Sequence, residues 1–594
     1  MKKRAADVIM DTLIEENITD CFAVVGGGAM YLDNALLKCT KMHKMFNHHE
    51  QACAMAAEGY AKMSGNIPLV CVTSGPGTTN TLTGVMGAWV DSVPMLIISG
   101  QMRYGVTVAS TGLPLRFRGG QEFNIVDTVK TMTKYSKMVI NPLDIRMEVQ
   151  KAVHIAMTGR RGPVWLDIPV DVQMAMVEEE QLTEYKPEDI VPSIREEDAS
   201  SLIQKLKEAK RPVILAGNAI ANSGCLPQFM EFAEKLQVPV IATMCAGEVM
   251  GRDNPIFYGV SGAIGPRTGN FVLQNADFIL ALGTSMGFKT TGYVQKEFAK
   301  KAYITMVDVD LFEVQKPGVR VDWFIHSDLH EFFKVMKQYS EKIEIPEKWS
   351  SFCNDLKSRF TPFEAAEGLD ASDRICSYYF WKEFEKYEEE DSVVVLGNNT
   401  GISAKIQIGT KKDKQRVIVN NNCGSMGYDL PAAIGAAVAA KRPVYCATGD
   451  GSIMMNLQEL QTIRHYNLPV KIIIFANDGY NAIRQTSKNF FHGELIGCTP
   501  ETGVSFPDFE KVADTFGYPF HECHNNSETG EGIRWLKAQE GSAILLLDER
   551  LDDPVTPKVM SRVDENGKFV TPALQDMYPF LPEEEMKKLM EISE

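Results

Sequence analysis

GDGSIMMNLQELQTIRHYNLPVKIIIFANDGYNAIRQ, residues 449–485, holds the fold in miniature. The run VYCATGD (444–450) leads into it and KIIIFAND (471–478) lies within it; both are apolar and strand-sized, and a helix-length amphipathic stretch separates them. Apolar strands alternating with helices are the sequence form of a parallel sheet covered on both faces. Ligands bind such sheets at the carboxyl ends of the strands. This segment puts Gly449, Asp450, Gly451 and Ser452 at one strand end and Asn477, Asp478, Gly479 and Tyr480 at the next. Glycines let a backbone approach phosphate oxygens closely, and the following helix N-terminus favours an anion. The Asp450 carboxylate and the Asn477 amide oxygen are hard ligands of the kind magnesium takes alongside phosphate and water. Gly-Asp-Gly alone is also an ordinary turn. What distinguishes it here is Ala476-Asn477 on a second strand, with 24 residues intervening after Gly451.

The same alternation extends over the whole chain, and the expected fold class is α/β with three doubly wound parallel-sheet domains. At 594 residues three domains of ordinary size are expected. The first set of strands is CFAVV (21–25), PLVCVTS (68–74), MLIIS (95–99) and VWLDIP (164–169). After a polar linker, EYKPEDIVPSIREEDAS (184–200), come RPVILAG (211–217), VPVIATM (238–244), DFILALG (277–283) and AYITMVDVD (302–310). A charged connection, 337–373, leads to SVVVLGN (392–398), VIVNN (417–421), the two runs above, and AILLLDE (543–549). The domains are placed at 1–183, 200–336 and 374–552. A tail without strand pattern, 553–594, is expected to fold over the third domain and to close with the acidic helix PEEEMKKLMEISE.

The chain is 44% hydrophobic and 23% charged, and no apolar run is long enough to span a membrane. At the start, Asp7, Asp11, Glu15 and Glu16 interrupt what a signal peptide would keep apolar, which favours an amphipathic helix. A net charge of −16 argues against a nucleic-acid partner. Twelve cysteines without a Cys-x-x-Cys pair read as free thiols in a reducing cytoplasm. His48-His49 and His521-Glu522-Cys523-His524 lack zinc spacing and further ligands and read as structural.

The Gly-Asp-Gly to Asn477 segment resembles the cofactor motif of the thiamine diphosphate enzymes, with Ala476 in place of the motif's first Asn. The resemblance implies that Asp450, Asn477 and the Gly479 carbonyl hold Mg2+, and that Gly449, Gly451, Ser452 and Tyr480 border the diphosphate. Two further stretches extend it. MFNHHEQACAMAAEGYAKMSG (45–65) looks like the glutamate motif of the acetohydroxyacid synthases, which makes Glu50 the acid that activates thiamine. NNNCGSMGYDLPAAIGAA (420–437) is similar to the segment that bends the cofactor, with Met426 beneath it and Gly424 beside it. For both Glu50 and Met426 the plainer reading is structural, a favourable acid at a helix start and a core filler.

The match covers nearly the whole chain in the order pyrimidine-binding, central and diphosphate-binding domain, that of the acetolactate synthase and pyruvate oxidase group. It implies an enzyme that decarboxylates pyruvate or a related 2-oxo acid and passes the acyl unit to a second carbonyl. Gln121, in GGQEFNIVDTV, and Gln101 would line the substrate pocket, and the N–H groups of Gly26, Gly27 and Gly28 would face the reacting carbonyl. In IRQTSKNFF, Thr486 stands where the synthases carry a Trp that selects the second oxo acid. That stretch looks more like the acetolactate-synthase-like proteins of surface-sugar pathways, some of which use a nucleotide-linked keto sugar as acceptor. Acetolactate synthesis proper, dione hydrolysis and an inactive regulatory homologue are the competing readings. The turns AGNAI (216–220) and GTSM (283–286) with Asp308 and Asp310 could hold FAD or belong to an empty vestigial domain. The family's arrangement implies a homodimer or homotetramer with active sites between subunits.

Overall fold

A computed structural model describes residues 2–398, 400–563 and 567–592. Three six-stranded sheets, each wholly parallel, carry the chain. The first holds β1 (Asp20–Ala23), β2 (His43–Phe46), β3 (Leu69–Val72), β4 (Met95–Gln101), β5 (Tyr135–Met138) and β6 (Pro163–Pro169) in the order β2-β1-β3-β4-β6-β5. The second holds β7 (Pro212–Ala216), β8 (Val240–Thr243), β9 (Phe257–Ser261), β10 (Phe278–Leu282), β11 (Tyr303–Asp308) and β12 (Trp323–His326), ordered β9-β8-β7-β10-β11-β12. The third holds β13 (Val393–Leu396), β14 (Arg416–Val419), β15 (Val444–Gly449), β16 (Val470–Ala476), β17 (Phe520–Cys523) and β18 (Ala543–Asp548), ordered β14-β13-β15-β16-β18-β17. The first and third sheets thus repeat one topology. The central one has the 3-2-1-4-5-6 order of dinucleotide-binding folds.

Every stretch expected as a strand overlaps one. Within these three sheets five further strands, β2, β5, β9, β12 and β17, went unforeseen, and each lies at a sheet edge; the antiparallel pair of Lys2–Arg4 with Met176–Glu178 was unforeseen too. The expected first helix spans Ala5–Glu15. The polar linker is shorter than expected because a helix begins at Glu196, and the charged connection contains the helix Glu347–Arg359. In both, the apolar positions fall on one helical face and bury Leu202 and Leu206, or Trp349, Cys353 and Leu356.

The tail lies on the third domain only in part, with Pro557 and Phe569 touching Gln407 and Phe490 there. It leaves the third domain, where Asn481 and Gln485 donate to the Asp553 carbonyl, and then covers the central domain. The buried helix Arg267–Asn275 supplies the reason: Asn270 and Asn275 donate to the carbonyls of Leu574 and Leu589, and both leucines join the core beneath. The tail also contains an antiparallel pair, Arg562–Val563 with Phe569–Val570, too short to leave a period in the sequence. Its closing helix spans Glu583–Met590; Ser593 and Glu594 lie outside the described residues.

Two helices join the first domain to the third. The helix Glu50–Ser64 lies against Asp429–Ala440, and small residues bring the backbones close. A Cβ at Gly59 would stand 2.2 Å from the Ala432 carbonyl oxygen, and one at Gly435 would stand 1.8 Å from that of Ala56. Buried Lys62 is held between Glu58 and Asp91, each at 2.6 Å, and Asp91 also accepts from Asn222 of the central domain and Asn422 of the third. The helix that begins with Glu50 is therefore fixed against all three domains.

Candidate functional site

The carboxyl ends of β15 and β16 bring Asp450 and Asn477 together, both buried. Asp450 Oδ1 accepts from the Gly451 N–H at 2.8 Å, while Oδ2 accepts from Asn477 N–H at 3.0 Å and Gly479 N–H at 3.4 Å. Burial raises this carboxyl to about 6, against those three backbone donors that hold it down. The Asn477 amide nitrogen donates to Glu549 at 2.7 Å, and its oxygen is buried with no hydrogen-bond partner. An orphaned buried oxygen costs about 1–3 kcal/mol. A cation accepting it, and compensating the Asp450 charge, removes both costs at once. Asp478, at φ 55°, and Gly479, at φ 154°, turn the chain sharply after β16, and a Cβ at Gly479 would meet the Cys498 carbonyl oxygen at 2.0 Å. Arg484 fastens this turn by donating to the carbonyls of Asn477 and Asp478.

Magnesium fits this loop. Among the described residues no group of three or more His, Cys, Asp or Glu side chains stands ready for a metal, and the two His motifs form none. The Asp450 carboxylate and the Asn477 amide oxygen are hard-oxygen donors of the kind magnesium takes, and they leave positions for phosphate and water. The ring of Tyr480 lies over Gly451, where a Cβ would be 2.4 Å from Tyr480 Cε1, so only glycine leaves the loop beneath it open. Ser452 is already engaged: its hydroxyl donates to Asp429 at 2.5 Å and accepts from Gly427 N–H at 2.9 Å. Its side chain thus ties the Gly449–Ser452 loop to the segment with Gly424 (φ 64°) and half-buried Met426.

At the carboxyl edge of the first sheet the structure gathers Glu50, Gln121 and the glycine turn. Glu50 begins its helix, capped by His49, whose ring accepts from Gln51 N–H. Its carboxylate accepts from Asn80 at 3.0 Å. A Cβ at Gly77 would stand 3.6 Å from Glu50 Oε1, and one at Gly75 would meet the Gln121 carbonyl oxygen at 2.6 Å. Gln121 is exposed with φ 59°, a left-handed conformation that is unfavourable without glycine. Gln101 is fully buried. Its side chain donates to the Phe123 carbonyl at 2.9 Å and to Asp167 at 3.0 Å, clamping the loop that presents Gln121. Of the three glycines at 26–28, Gly26 N–H is taken by Asp33 and Gly28 N–H by Thr73. Gly27 remains, with open space at its Cα. Asp33, Asp429 and Glu549, which hold Gly26, Ser452 and Asn477, and Asp167, which holds Gln101, are contacts that the sequence reading missed. Each sits inside an apolar or unremarkable stretch, and only the fold shows what it touches.

Asn456 links the two loops indirectly, donating to Gln51 beside Glu50 and to the Gly427 carbonyl. Thr486 lies exposed on the helix Asn481–Phe490 with its hydroxyl turned back to the Ala482 carbonyl. A separate cavity of about 360 Å3 opens at the carboxyl ends of β7 and β10, where the central strand order reverses. Asn218, Gly283, Thr284 and Asp308 line it from the central domain, Arg160 and Arg161 from the first.

Comparison with known proteins finds one family model for each of the three sheets. Residues 3–122, 199–336 and 396–546 match family models described as the N-terminal TPP binding, central and C-terminal TPP binding domains of thiamine pyrophosphate enzymes. The probable acetolactate synthase large subunit of Methanocaldococcus jannaschii is 31% identical over 552 residues, 89% of either chain. The acetolactate synthase isozyme 1 large subunit of Escherichia coli is 27% identical over 562 residues, 93% of this chain and 95% of its own. The chloroplastic acetolactate synthase of Arabidopsis thaliana is 28% identical over 560 residues, 91% of this chain and 81% of its own.

Proposed function

Because the chain belongs to the thiamine pyrophosphate enzymes and is acetolactate synthase-like, we propose that it decarboxylates pyruvate or a related 2-oxo acid and transfers the acyl unit to a second carbonyl compound. Bound thiamine diphosphate supplies the nucleophilic carbon and the electron sink of such chemistry. The observation that carries the reading is the buried Asp450–Asn477 pair with its orphaned amide oxygen, a site built for a divalent cation. In this reading Asp450, Asn477 and the Gly479 carbonyl hold Mg2+, and Gly449, Gly451 and Tyr480 shape the phosphate loop. Met426 and Gly424 support the cofactor from the third domain. Glu50 holds a proton for the pyrimidine ring, oriented by Asn80. Gly27 offers its N–H to the substrate carbonyl, and Gln121 contacts the substrate.

Glu50 finds its side-chain partner in its own domain, and Val25, Met30, Met454 and Met455 are exposed apolar residues near the two loops in sequence. Both features support a homodimer in which Glu50 of one chain faces the metal loop of the other. Exposed Thr486 supports an acceptor bulkier than pyruvate, such as a nucleotide-linked keto sugar; the names of the relatives support pyruvate itself as acceptor. The central cavity, at a topological switch point, has the position of a nucleotide site and suits FAD as a structural cofactor; flavin fluorescence of the purified protein checks this. All twelve cysteines are free thiols, and among the described residues no helix is long and apolar enough to cross a membrane, which supports the cytoplasm as its compartment.

The acceptor is found by offering pyruvate together with oxo acids, aldehydes or nucleotide-linked keto sugars and identifying the products by mass. A two-carbon-extended keto sugar formed in preference to acetolactate is the expected result. Acetolactate as sole product in every mixture would return the chain to ordinary acetolactate synthesis.

A further inference from the structure

Glu549 follows β18 directly and is fully buried. One carboxylate oxygen accepts from the Asn477 amide nitrogen at 2.7 Å, and the other has no hydrogen-bond partner. Its surroundings are closed: a Cβ at Gly401 would lie 2.6 Å from Glu549 Oε1 and 2.8 Å from the ring of Phe475. The backbone N–H of Glu549 donates to the Ala476 carbonyl, so the register of β16 against β18 places this acid beside the residue that precedes Asn477. Among the described residues its hydrogen bond is to an amide, while burial, Asp553 and Asp450 push its carboxyl up and Arg374 pulls it down.

Burying a carboxylate in such a place is expensive, and a neutral side chain would fill the same volume at less cost. What a carboxylate does there that an apolar group does not is discriminate between the two ends of an amide. An amide presents an oxygen acceptor on one side and an NH2 donor on the other, and the two are nearly equal in shape. Burial and the neighbouring Asp553 push the Glu549 carboxyl well up, and its Oε2 accepts from the Asn477 NH2 at 2.7 Å, which turns the amide oxygen the opposite way. The Asn477 oxygen is the buried atom left without a partner, and Asn477 N–H is fixed to Asp450. Orientation of a ligand by a partner behind it is a general feature of metal sites.

We propose that Glu549 is a positioning residue that locks the Asn477 amide with its oxygen directed into the metal site. The inference rests on the reading of Asp450 and Asn477 as ligands of a divalent cation. Its test is Mn2+ affinity, measured by paramagnetic resonance of the free ion with thiamine diphosphate saturating, in the full-length protein and in the variants Glu549→Leu, Glu549→Gln and Asp450→Ala. Thermal melting of the same proteins without metal or cofactor is recorded alongside. Glu549→Leu, if folded, should weaken Mn2+ binding by about tenfold or more, the size of effect that partners behind a ligand have elsewhere. Its metal-free melting temperature should not fall, since a buried acid with an unpartnered oxygen has been removed. A loss of less than about tenfold would overturn the proposal, because a merely structural role would lower the melting temperature and leave metal affinity alone. If Glu549→Leu does not fold, Glu549→Gln decides, since its amide can pair with Asn477 in either orientation. A loss of about threefold or more there supports the proposal and a smaller one overturns it. Asp450→Ala separates the two levels: Mn2+ binding that survives it refutes the metal-site reading itself, whereas binding abolished by it but kept by the Glu549 variants refutes only the positioning role.

Discussion

Asp33 shows how single side chains in this molecule carry charge at a cost for the sake of a turn. Its Oδ2 accepts from Gly26 N–H at 3.1 Å and its other oxygen is buried without a partner. Burial lifts its carboxyl to about 6 from an ordinary 3.8, with the Gly26 bond pulling the other way. A carboxyl whose folded value is raised stabilises the fold most below the unfolded value, and that contribution is lost as pH rises through the folded one. Asp33→Asn keeps an acceptor for Gly26 and never ionises. Its melting temperature relative to the unsubstituted protein should therefore rise between about pH 4 and 6 and level off above. A difference independent of pH would show that Asp33 ionises normally in the fold. The sequence singled out Asp450 and Asn477 because each stands at a strand end with glycine nearby, and Glu50 through the resemblance of its stretch to a known glutamate motif. Asp33 and Glu549 were not legible, since an acid in YLDNALL or AILLLDE looks like any solvated residue until the partners of its oxygens are known.

Helix pairing and sheet position decide matters at the next scale. Gly435 lies so near Ala56 that even a methyl group forces the helices apart, and the displaced helix is the one that Glu50 begins. Gly435→Ala should cost about 1–3 kcal/mol as an overpacked contact, seen as a lower melting temperature, although alanine is the better helix former by about 1 kcal/mol. Unchanged or higher melting would mean that the two helices are not in close contact. Legibility followed sheet position. All twelve interior strands are buried against neighbours on both sides and read as plain apolar runs. Of the six edge strands only β14, RVIV, shows itself that way. HKMF, YSKM, WFIH and FHEC mix polar with apolar residues, as strands exposed along one side can, and FYGVS is broken by Gly259 at φ 93°. The helix Glu347–Arg359 was missed for a related reason, its apolar stripe being narrow within a charged sequence.

The whole molecule repeats one sheet topology at its two ends and sets a different one between them, with the tail crossing back over the middle. If Glu50 of one chain completes the metal loop of another, two inactive variants should rescue each other. Mixing Glu50→Gln with Asp450→Ala after reversible dissociation should restore up to about a quarter of full activity, because half the dimers are mixed and one of their two sites is intact. No recovery, with mixed dimers shown to form, would place both residues in a site within one chain. The tail could not have been placed from sequence, because its anchors are the side chains of Asn270 and Asn275, which stand 304 and 314 residues before the leucines they hold. The claim on which the rest depends is that this chain needs thiamine diphosphate and a divalent cation, held and activated by Asp450, Asn477 and Glu50. Release of labelled carbon dioxide from pyruvate by the purified protein tests it most directly. Release should require both thiamine diphosphate and Mg2+, fall by about 100-fold or more in Glu50→Gln, and disappear in Asp450→Ala. Release that persists without thiamine diphosphate, or at full rate in Glu50→Gln, would contradict it.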